Sequence, residues 1–436
     1  MAVKYQSVKG FPDLLPPETM LWERVERDAR AIFAAYGFQE IRVPVLEYTE
    51  LFSRGIGADT DIVEKEMFSF PDKKGRSLTL RPEATASVVR AYIEHNMGRA
   101  GPVKLYYLGP MFRYERPQKG RHRQFWQIGA EVIGLAGPAV DAELMSMLNA
   151  LFDQLGISGL SLEVNSLGCP VCRPAYREKL IRYLKLQEAE LCPDCKRRLN
   201  ENPLRVLDCK NEACKKAIAD APCPEDFLCK ACQDHFSGLK GYLDVLDVAY
   251  KVNPRIVRGL DYYTRTVFEY QDSNQPGAQN AVVGGGRYDD LIEELGGARI
   301  PACGFALGMD RLVTLIPKRA RPEADERILI AAIGERAFKQ GLIWAKDLRD
   351  AGFIAELAEE SGSLKKQLKL ADRMNMNYVF IIGEDEIEKG IITIRDMSSS
   401  KQKQCQAKKF KEEILKRGKR ILNELIEKSI CTDYNG

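Results

Sequence analysis

The stretch Val257-Arg258-Gly259-Leu260-Asp261-Tyr262-Tyr263, followed by Gly284-Gly285-Gly286-Arg287-Tyr288-Asp289, decides how this chain is read. It joins one cation to two phenols on apolar, strand-like sequence, and its glycines let a backbone approach a ligand closely. That combination suits a site for a small polar molecule bearing an anion. Outward from it, strand-like runs recur at 77–80, 103–114, 125–133, 160–164, 264–270 and 302–307. A short polar loop joins the second and third, which predicts an antiparallel pair.

Upstream, residues 18–36 carry Leu21, Val25, Ala29, Ile32 and Phe33 on one side at helical spacing, and Gly37 stops the helix. The strand-like run to Leu46 is broken by Pro44, which puts it at an edge or boundary rather than in mid-sheet. Residues 169–250 are lysine-rich, cysteine-rich and helical in pattern, and read as an insertion between two parts of a sheet domain. A charge cluster bracketed by prolines then reads as a linker. Beyond it, strands at 328–333, 354–357 and 378–382 alternate with helices at 337–351 and 364–374, which predicts a separate α/β domain with parallel strands. The expected division is a split core at 1–168 and 251–317, the insertion at 169–250, the linker at 318–324 and a last domain at 325–436.

At 436 residues the chain exceeds what one core serves. Its 65 basic and 62 acidic residues leave a formal charge of +3, so a polyanion must be met by local patches. No basic start precedes an apolar run, and nothing is apolar for long enough to span a bilayer; a cytoplasmic enzyme without membrane contact is the expectation.

The loop from Phe112 to Phe125 sets Arg113, Arg116, Arg121 and Arg123 on the tip between two predicted strands. Such a tip is either a solvated hairpin end or a set of cations converging on phosphate beside a ring that stacks on a base. Gln127, Gly129 and Glu131 alternate onto one strand face, so they either meet solvent or line a cavity. Gly304-Phe305-Ala306-Leu307-Gly308-Met309-Asp310-Arg311 is a glycine-spaced strand running into a helix, by itself usually a packing feature.

Together these strings resemble histidyl-tRNA synthetases. The two opening strings are similar to the signatures peculiar to that family, residues 112–125 to motif 2 of class II synthetases, and residues 304–311 to motif 3. The helix from Glu18 with the Pro44 run resembles motif 1, and Gly10-Phe11-Pro12-Asp13-Leu14-Leu15-Pro16 the family's N-terminal segment. The resemblance implies an α+β fold: a class II antiparallel-sheet catalytic core with a helical insertion, plus a C-terminal α/β anticodon-binding domain. It implies a histidine-tRNA ligase, in which ATP and L-histidine give histidyl-adenylate and the 3′-terminal ribose hydroxyl of tRNA(His) then attacks the carbonyl. Motif 1 implies a homodimer.

By the same resemblance Arg113 holds the α-phosphate, Glu115 the adenine amino group and Arg311 the γ-phosphate, while Phe125 stacks on adenine. Arg258 is the second cation on the α-phosphate and, with Arg113, the catalytic pair bordering the histidine. Attack of a carboxylate on a phosphate brings anion to anion, so fixed cations give the main stabilisation; Mg²⁺ is expected on the β- and γ-phosphates. Glu83, Thr85 and Gln127 take the α-ammonium, Glu131 and Tyr263 bracket the imidazole, and Tyr262 and Tyr288 complete the wall. A neutral imidazole has one donor and one acceptor nitrogen, and a carboxylate facing a phenol rejects analogues that leave either group unpaired. Arg116, Gln118, Arg121 and Arg123 are implied to meet the tRNA acceptor end. The basic run 408–420 either adds phosphate contacts or is the solvated face of a last helix.

Nine of twelve cysteines fall between Cys169 and Cys232. Cys169 and Cys172, nineteen residues, then Cys192 and Cys195 make a zinc-ribbon-like spacing, and Cys209, Cys214, Cys229 and Cys232 offer a second set of four. Structural Zn²⁺ and reduced thiols are the two readings; many members of the family have the insertion without these cysteines. A second function is also open: a synthetase-like paralogue that serves, without catalysis, as regulatory subunit of a histidine-biosynthetic ATP phosphoribosyltransferase. Such paralogues lack the anticodon domain and have lost active-site residues, whereas this chain keeps Arg113, Arg258 and Arg311.

Overall fold

Period-two alternation in the strand-forming runs builds one large sheet in the first of two units, Met1–Pro322 and Glu323–Gly436. The computed structural model describes residues 5–57, 60, 62–115, 121–209, 211–274, 280–318, 326–359, 362–417, 426 and 431–433. Apart from Lys318, the predicted linker lies outside the described residues.

The sheet runs in the order Gln39–Glu40, Val103–Phe112, Gln124–Ile133, Ala302–Gly308, Ala281–Arg287, Thr264–Asp272, Leu160–Ser166, Lys251–Val252. Its inner strands pair antiparallel, and each edge strand pairs parallel with its neighbour. On Gln124–Ile133 the residues Ile128, Ala130 and Val132 enter the main core beside Phe268, Phe305 and Leu307. The helices Glu18–Ala35, Pro138–Leu155 and Lys230–Val245 cover that face with Val25, Phe33, Leu148 and Leu239. Each such side chain contributes about 1.5–3 kcal/mol when fully buried. This fixes the strand's facing, and Gln127 and Glu131 therefore project from the opposite face.

The run to Leu46 divides as its proline demands. Gln39–Glu40 forms a sheet edge, and Leu46–Tyr48 joins Ser77–Leu80 and Phe68–Pro71 in a separate small sheet. Between Leu160–Ser166 and its sheet neighbour Thr264–Asp272 the chain leaves for the helices Arg173–Leu186, Pro193–Glu201, Glu212–Ala217 and Lys230–Val245. The last of these returns to the main core through Phe236, Leu239 and Leu243.

Val257–Tyr263 does not form the strand its apolar character predicts. It is a loop whose Asp261 N–H donates to the Ile56 carbonyl at 3.1 Å, and the strand begins at Thr264. Tyr262 and Tyr263 are 6% and 5% exposed, so both are buried, where a strand would turn one of them outward.

The second unit's sheet runs Ile354–Leu357, Arg327–Ala332, Tyr378–Ile382, Ile391–Asp396, Gln402–Gln406, Cys431–Asp433. The first three strands are parallel, as their alternation with helices predicts. The last three add antiparallel, so the sheet is mixed rather than parallel; a strand such as Gln402–Gln406 is almost wholly polar and carries no apolar period. Helices cover both faces: Trp344, Phe410 and Ile414 pack with Ile328 and Phe380, and Ala371 with Leu329 and Val379. The start of the basic run lies on the helix Ala407–Arg417, which buries Phe410 and Ile414 and exposes Lys408, Lys409 and Lys416.

Candidate active site

Glu131 sits near the end of the strand Gln124–Ile133 and is 1% exposed. Thr85 Oγ1 donates to its Oε1 at 2.8 Å, and the Tyr288 hydroxyl donates to its Oε2. Burial pushes its carboxyl up to about 8, although both hydrogen bonds favour the ionised form. Gly304 on the neighbouring strand gives it room, since a Cβ there would collide with Oε2. Glu83, also buried, accepts the first backbone N–H groups of the helix Thr85–Glu94, from Thr85 at 2.7 Å and Ala86 at 2.9 Å. Burial raises its carboxyl pKa too. The walls are phenolic: the Tyr262 ring lies 4.8 Å from that of Tyr263 and 5.5 Å from that of Tyr288. Burial first, then Glu131, pushes the phenols of Tyr107 and Tyr288 well above their usual pKa. Such a pocket offers donors and acceptors to a small polar ligand and rejects an apolar one.

A cleft of about 210 Å³ is lined by Arg113, Arg258 and Arg311 together with Phe125, Gln127 and Val283. Gln127 Oε1 is buried without a hydrogen-bond partner, and its strand face is that of Glu131. Arg258 pairs with Glu269 and lies 5.9 Å from the Tyr263 ring centroid. Burial is the largest influence and opposes its charge, but Glu269, Tyr263 and Tyr262 together outweigh burial, so its pKa is raised. Gly284, cross-strand partner of Glu269, leaves the guanidinium its place, which a Cβ would occupy. Arg113 donates from Nε to the Pro82 carbonyl at 2.9 Å and lies 5.3 Å from the Phe125 ring centroid. Arg311 donates to the Ala281 carbonyl, and burial, then Arg121, pushes its pKa down. An anion bound here relieves that repulsion. The carboxylates lining the cleft are engaged, Glu115 by Arg121 at 2.8 Å and Asp310 by the Trp126 N–H at 2.8 Å. Three guanidinium groups without a free acid make a polyanion site. Among the described residues lining the cleft, the two carboxylates, Glu115 and Asp310, make no free pair for a magnesium ion.

The expected residues thus gather in two adjoining groups. Glu83, Thr85, Glu131, Tyr262, Tyr263 and Tyr288 form one buried polar cluster of hydrogen bonds and ring contacts, and Arg113, Glu115, Phe125, Gln127, Arg258 and Arg311 line the cleft. Arg121 joins the cleft, whereas Arg123 lies 3.8 Å from the Tyr114 ring centroid and its N–H donates to the Gly10 carbonyl at 2.8 Å. Arg116 and Gln118 lie outside the described residues. Sequence reasoning missed Glu269 and Tyr107, although each is a polar group at an alternate position of an apolar strand.

The cysteines form two tetrads that cross the division their spacing suggests. Cys169 and Cys172 meet Cys229 and Cys232, and Cys192 and Cys195 meet Cys209 and Cys214. The helix Arg173–Leu186, 14 residues long, stands between the first two CxxC pairs and carries them about 20 Å apart.

Residues 10–312 match the family model for histidyl-tRNA synthetase, and residues 327–417 that for an anticodon binding domain. The chain is 51% identical over 399 residues to a histidine–tRNA ligase of Desulfatibacillum aliphaticivorans, covering 91% of this chain and 95% of that one. It is 49% identical over 431 residues to a histidine–tRNA ligase of Thermodesulfovibrio yellowstonii, covering 98% of each. The crystal structure of apo S. aureus histidyl-tRNA synthetase matches with a TM-score of 0.77 at 34% identity, over 94% of this chain and 99% of that one. A model match across most of the sequence, together with this identity to relatives over nearly their whole length, makes the chain a member of the histidyl-tRNA synthetase family.

Proposed function

We infer that this chain is a histidine-tRNA ligase, which activates L-histidine with ATP and transfers it to the 3′ end of tRNA(His). The observation that carries the reading is the adjacency of a desolvated carboxylate-phenol pocket and a triple-arginine cleft, with the unpartnered Gln127 Oε1 on the strand they share. Glu131 takes the imidazole N–H and Tyr263 its other nitrogen; Glu83, Thr85 and Gln127 take the α-ammonium. The histidine carboxylate then points at the cleft, where Arg113 and Arg258 hold the α-phosphate, Arg311 the γ-phosphate, and Glu115 and Phe125 the adenine.

A carboxylate oxygen attacks the α-phosphorus, its O–P bond forming as the bond to pyrophosphate breaks. Negative charge grows on the phosphoryl oxygens, and Arg258 and Arg113 stabilise it from fixed positions. Magnesium, when bound with ATP, neutralises phosphate charge. In the second step the ribose hydroxyl of the tRNA attacks the histidyl carbonyl and AMP leaves. Arg116, Gln118, Arg121 and Arg123 meet the acceptor end. In the second unit a groove of about 730 Å³, lined by Lys366, Lys369 and Arg373 beside the buried Gln367, suits single-stranded anticodon bases. The working form is a cytoplasmic homodimer joined through the motif 1 region; no helix among the described residues is long and apolar enough to cross a membrane. The cores at 1–168 and 251–317, the insertion at 169–250 and the anticodon domain at 325–436 are its working parts.

The regulatory-subunit reading has less support, because the relatives at this identity are ligases over nearly their whole length. Exchange of labelled pyrophosphate into ATP, with each amino acid offered separately and no tRNA, separates the two. Exchange with histidine alone is expected. Its absence from folded protein sinks the ligase reading.

A further inference from the structure

The two cysteine tetrads have the dimensions of a metal shell. In each, all four sulfurs lie within 4.8 Å of one another. Cys169 Sγ is 3.7 Å from Cys172 Sγ and 3.8 Å from Cys229 Sγ, Cys172 Sγ is 3.8 Å from Cys232 Sγ, and Cys192 Sγ is 3.9 Å from Cys209 Sγ. A tetrahedron with Zn–S bonds of about 2.3 Å has an edge of about 3.8 Å. Disulfides require about 2.05 Å and are excluded for these eight, all free. An iron–sulfur cluster would place its own atoms between the thiolates and spread them further. Backbone amides face the sulfurs as in thiolate knuckles: Cys169 N–H donates to Cys172 Sγ, and Cys192 N–H to Cys214 Sγ, each at 3.1 Å.

Position distinguishes the tetrads. The first lies where the insertion leaves and rejoins the sheet unit, next to Gly168, whose carbonyl accepts the Arg265 N–H at 2.9 Å. Within the second, ligands Cys195 and Cys209 bracket a segment that reaches the histidine loop. There Asn202 Nδ2 donates to Asp261 Oδ1 at 3.0 Å, and Arg205 donates to the Gly259 carbonyl at 2.6 Å. Gly259 and Asp261 flank Leu260 between Arg258 and the buried pair Tyr262–Tyr263.

We propose that each tetrad binds one Zn²⁺, and that the ion at Cys192, Cys195, Cys209 and Cys214 fixes Asn202 and Arg205 against residues 259–261, so that histidine affinity depends on the metal. Asn202 and Arg205 are positioning residues, and neither is among those lining the ATP cleft. The coupling rests on the ligase reading; the metal count does not.

The test begins with elemental analysis of full-length protein purified without added zinc. Two zinc equivalents per chain are expected. Less than about half an equivalent, or iron in place of zinc, overturns the assignment. The double variant Cys209→Ser, Cys214→Ser loses one equivalent and raises the histidine KM in pyrophosphate exchange about tenfold, with the ATP KM unchanged. The double variant Asn202→Ala, Arg205→Ala, which keeps every cysteine and so stands in where the first fails to fold, retains both equivalents and shows the same histidine-specific rise. An unchanged KM, or an equal rise for ATP, overturns the coupling. Wild-type protein with two equivalents and no histidine exchange overturns the coupling together with the ligase reading and leaves the zinc sites standing.

Discussion

Arg287 donates to Asp141 at 2.6 Å across 146 residues of sequence, with the two side chains 0% and 2% exposed. The other oxygen of Asp141 meets His235 Nε2 at 2.9 Å, and Arg287 also donates to the Gly137 carbonyl at 3.3 Å. The arginine of the Gly-Gly-Gly-Arg-Tyr-Asp string is thus a clamp. It ties the strand that ends beside Tyr288 to the helix Pro138–Leu155, and through Asp141 to the last helix of the insertion. Burial is the largest influence and opposes its charge, but its neighbours, Asp141 foremost, together outweigh burial.

Removing Asp141 takes the closest carboxylate from a fully buried guanidinium and leaves it only Asp289 at 3.2 Å, at a cost of up to about 3–5 kcal/mol. Asp141→Ala is therefore expected to lower the stability of the first unit by that amount, read from its urea transition. A loss below about 1 kcal/mol sinks the clamp.

Glu131 gives the ligand-free protein a specific pH dependence. Its folded pKa is raised from the ordinary 4.5 to about 8, mainly by burial. Between those values the native state holds a proton that the unfolded state has released. Stability from this group is therefore complete below about pH 4.5 and is lost as pH rises through 8, at up to about 1.4 kcal/mol per pH unit. Glu131→Gln removes the titration. Melting temperatures of wild type and variant, compared at pH 6 and pH 8.5 without histidine, are expected to diverge in slope, with the wild type falling faster. Parallel slopes would contradict the burial argument.

Strands with a clean apolar period were legible, Tyr378–Ile382 and Ile354–Leu357 to the residue. Ala281–Arg287 is a strand that the sequence does not predict, since three consecutive glycines argue against one locally. In the sheet those glycines lie against Phe305, Phe268 and the Arg258 guanidinium. The site shows the same limit. Arg113 and Arg258, which the strings single out by their resemblance to a family, both line the cleft. Glu269 and Tyr107 act through register, opposite Gly284 and Gly129, and register joins positions that one sequence leaves unlinked. The cysteine pairing cannot be deduced from sequence for a related reason: spacing counts residues, whereas the chain between them sets distance.

Register also makes Gly284 a test of Arg258. A methyl group at Gly284 occupies the place of the guanidinium, which must move from the position proposed for holding the α-phosphate without being deleted. Gly284→Ala is expected to reproduce Arg258→Ala: kcat of histidine-dependent exchange falls about 10²–10³-fold, as when a fixed transition-state donor is lost. Because Arg258→Ala also leaves the largely buried Glu269 without its ion-pair partner, its melting temperature is expected to fall, and circular dichroism at the assay temperature checks that the fold is kept. Exchange within a few-fold of wild type in Arg258→Ala would remove that residue from the catalytic role.

Gln127 separates stability from function at one atom. Its Oε1 is buried without a partner, so the folded protein carries a desolvated acceptor, at about 1–3 kcal/mol, that an α-ammonium group would satisfy. Gln127→Met keeps the volume and removes the acceptor. The ligand-free variant is therefore expected to be as stable as wild type or more so, while its histidine KM rises about tenfold or more, the value of a charge-assisted hydrogen bond. Histidinol, which keeps the ammonium and lacks the carboxylate, should lose affinity in the same proportion, because the contact it shares with histidine is the one removed. Equal histidinol affinity in the two proteins would show that Gln127 holds something other than the ammonium, and a lower melting temperature would show that its amide is satisfied in the free enzyme.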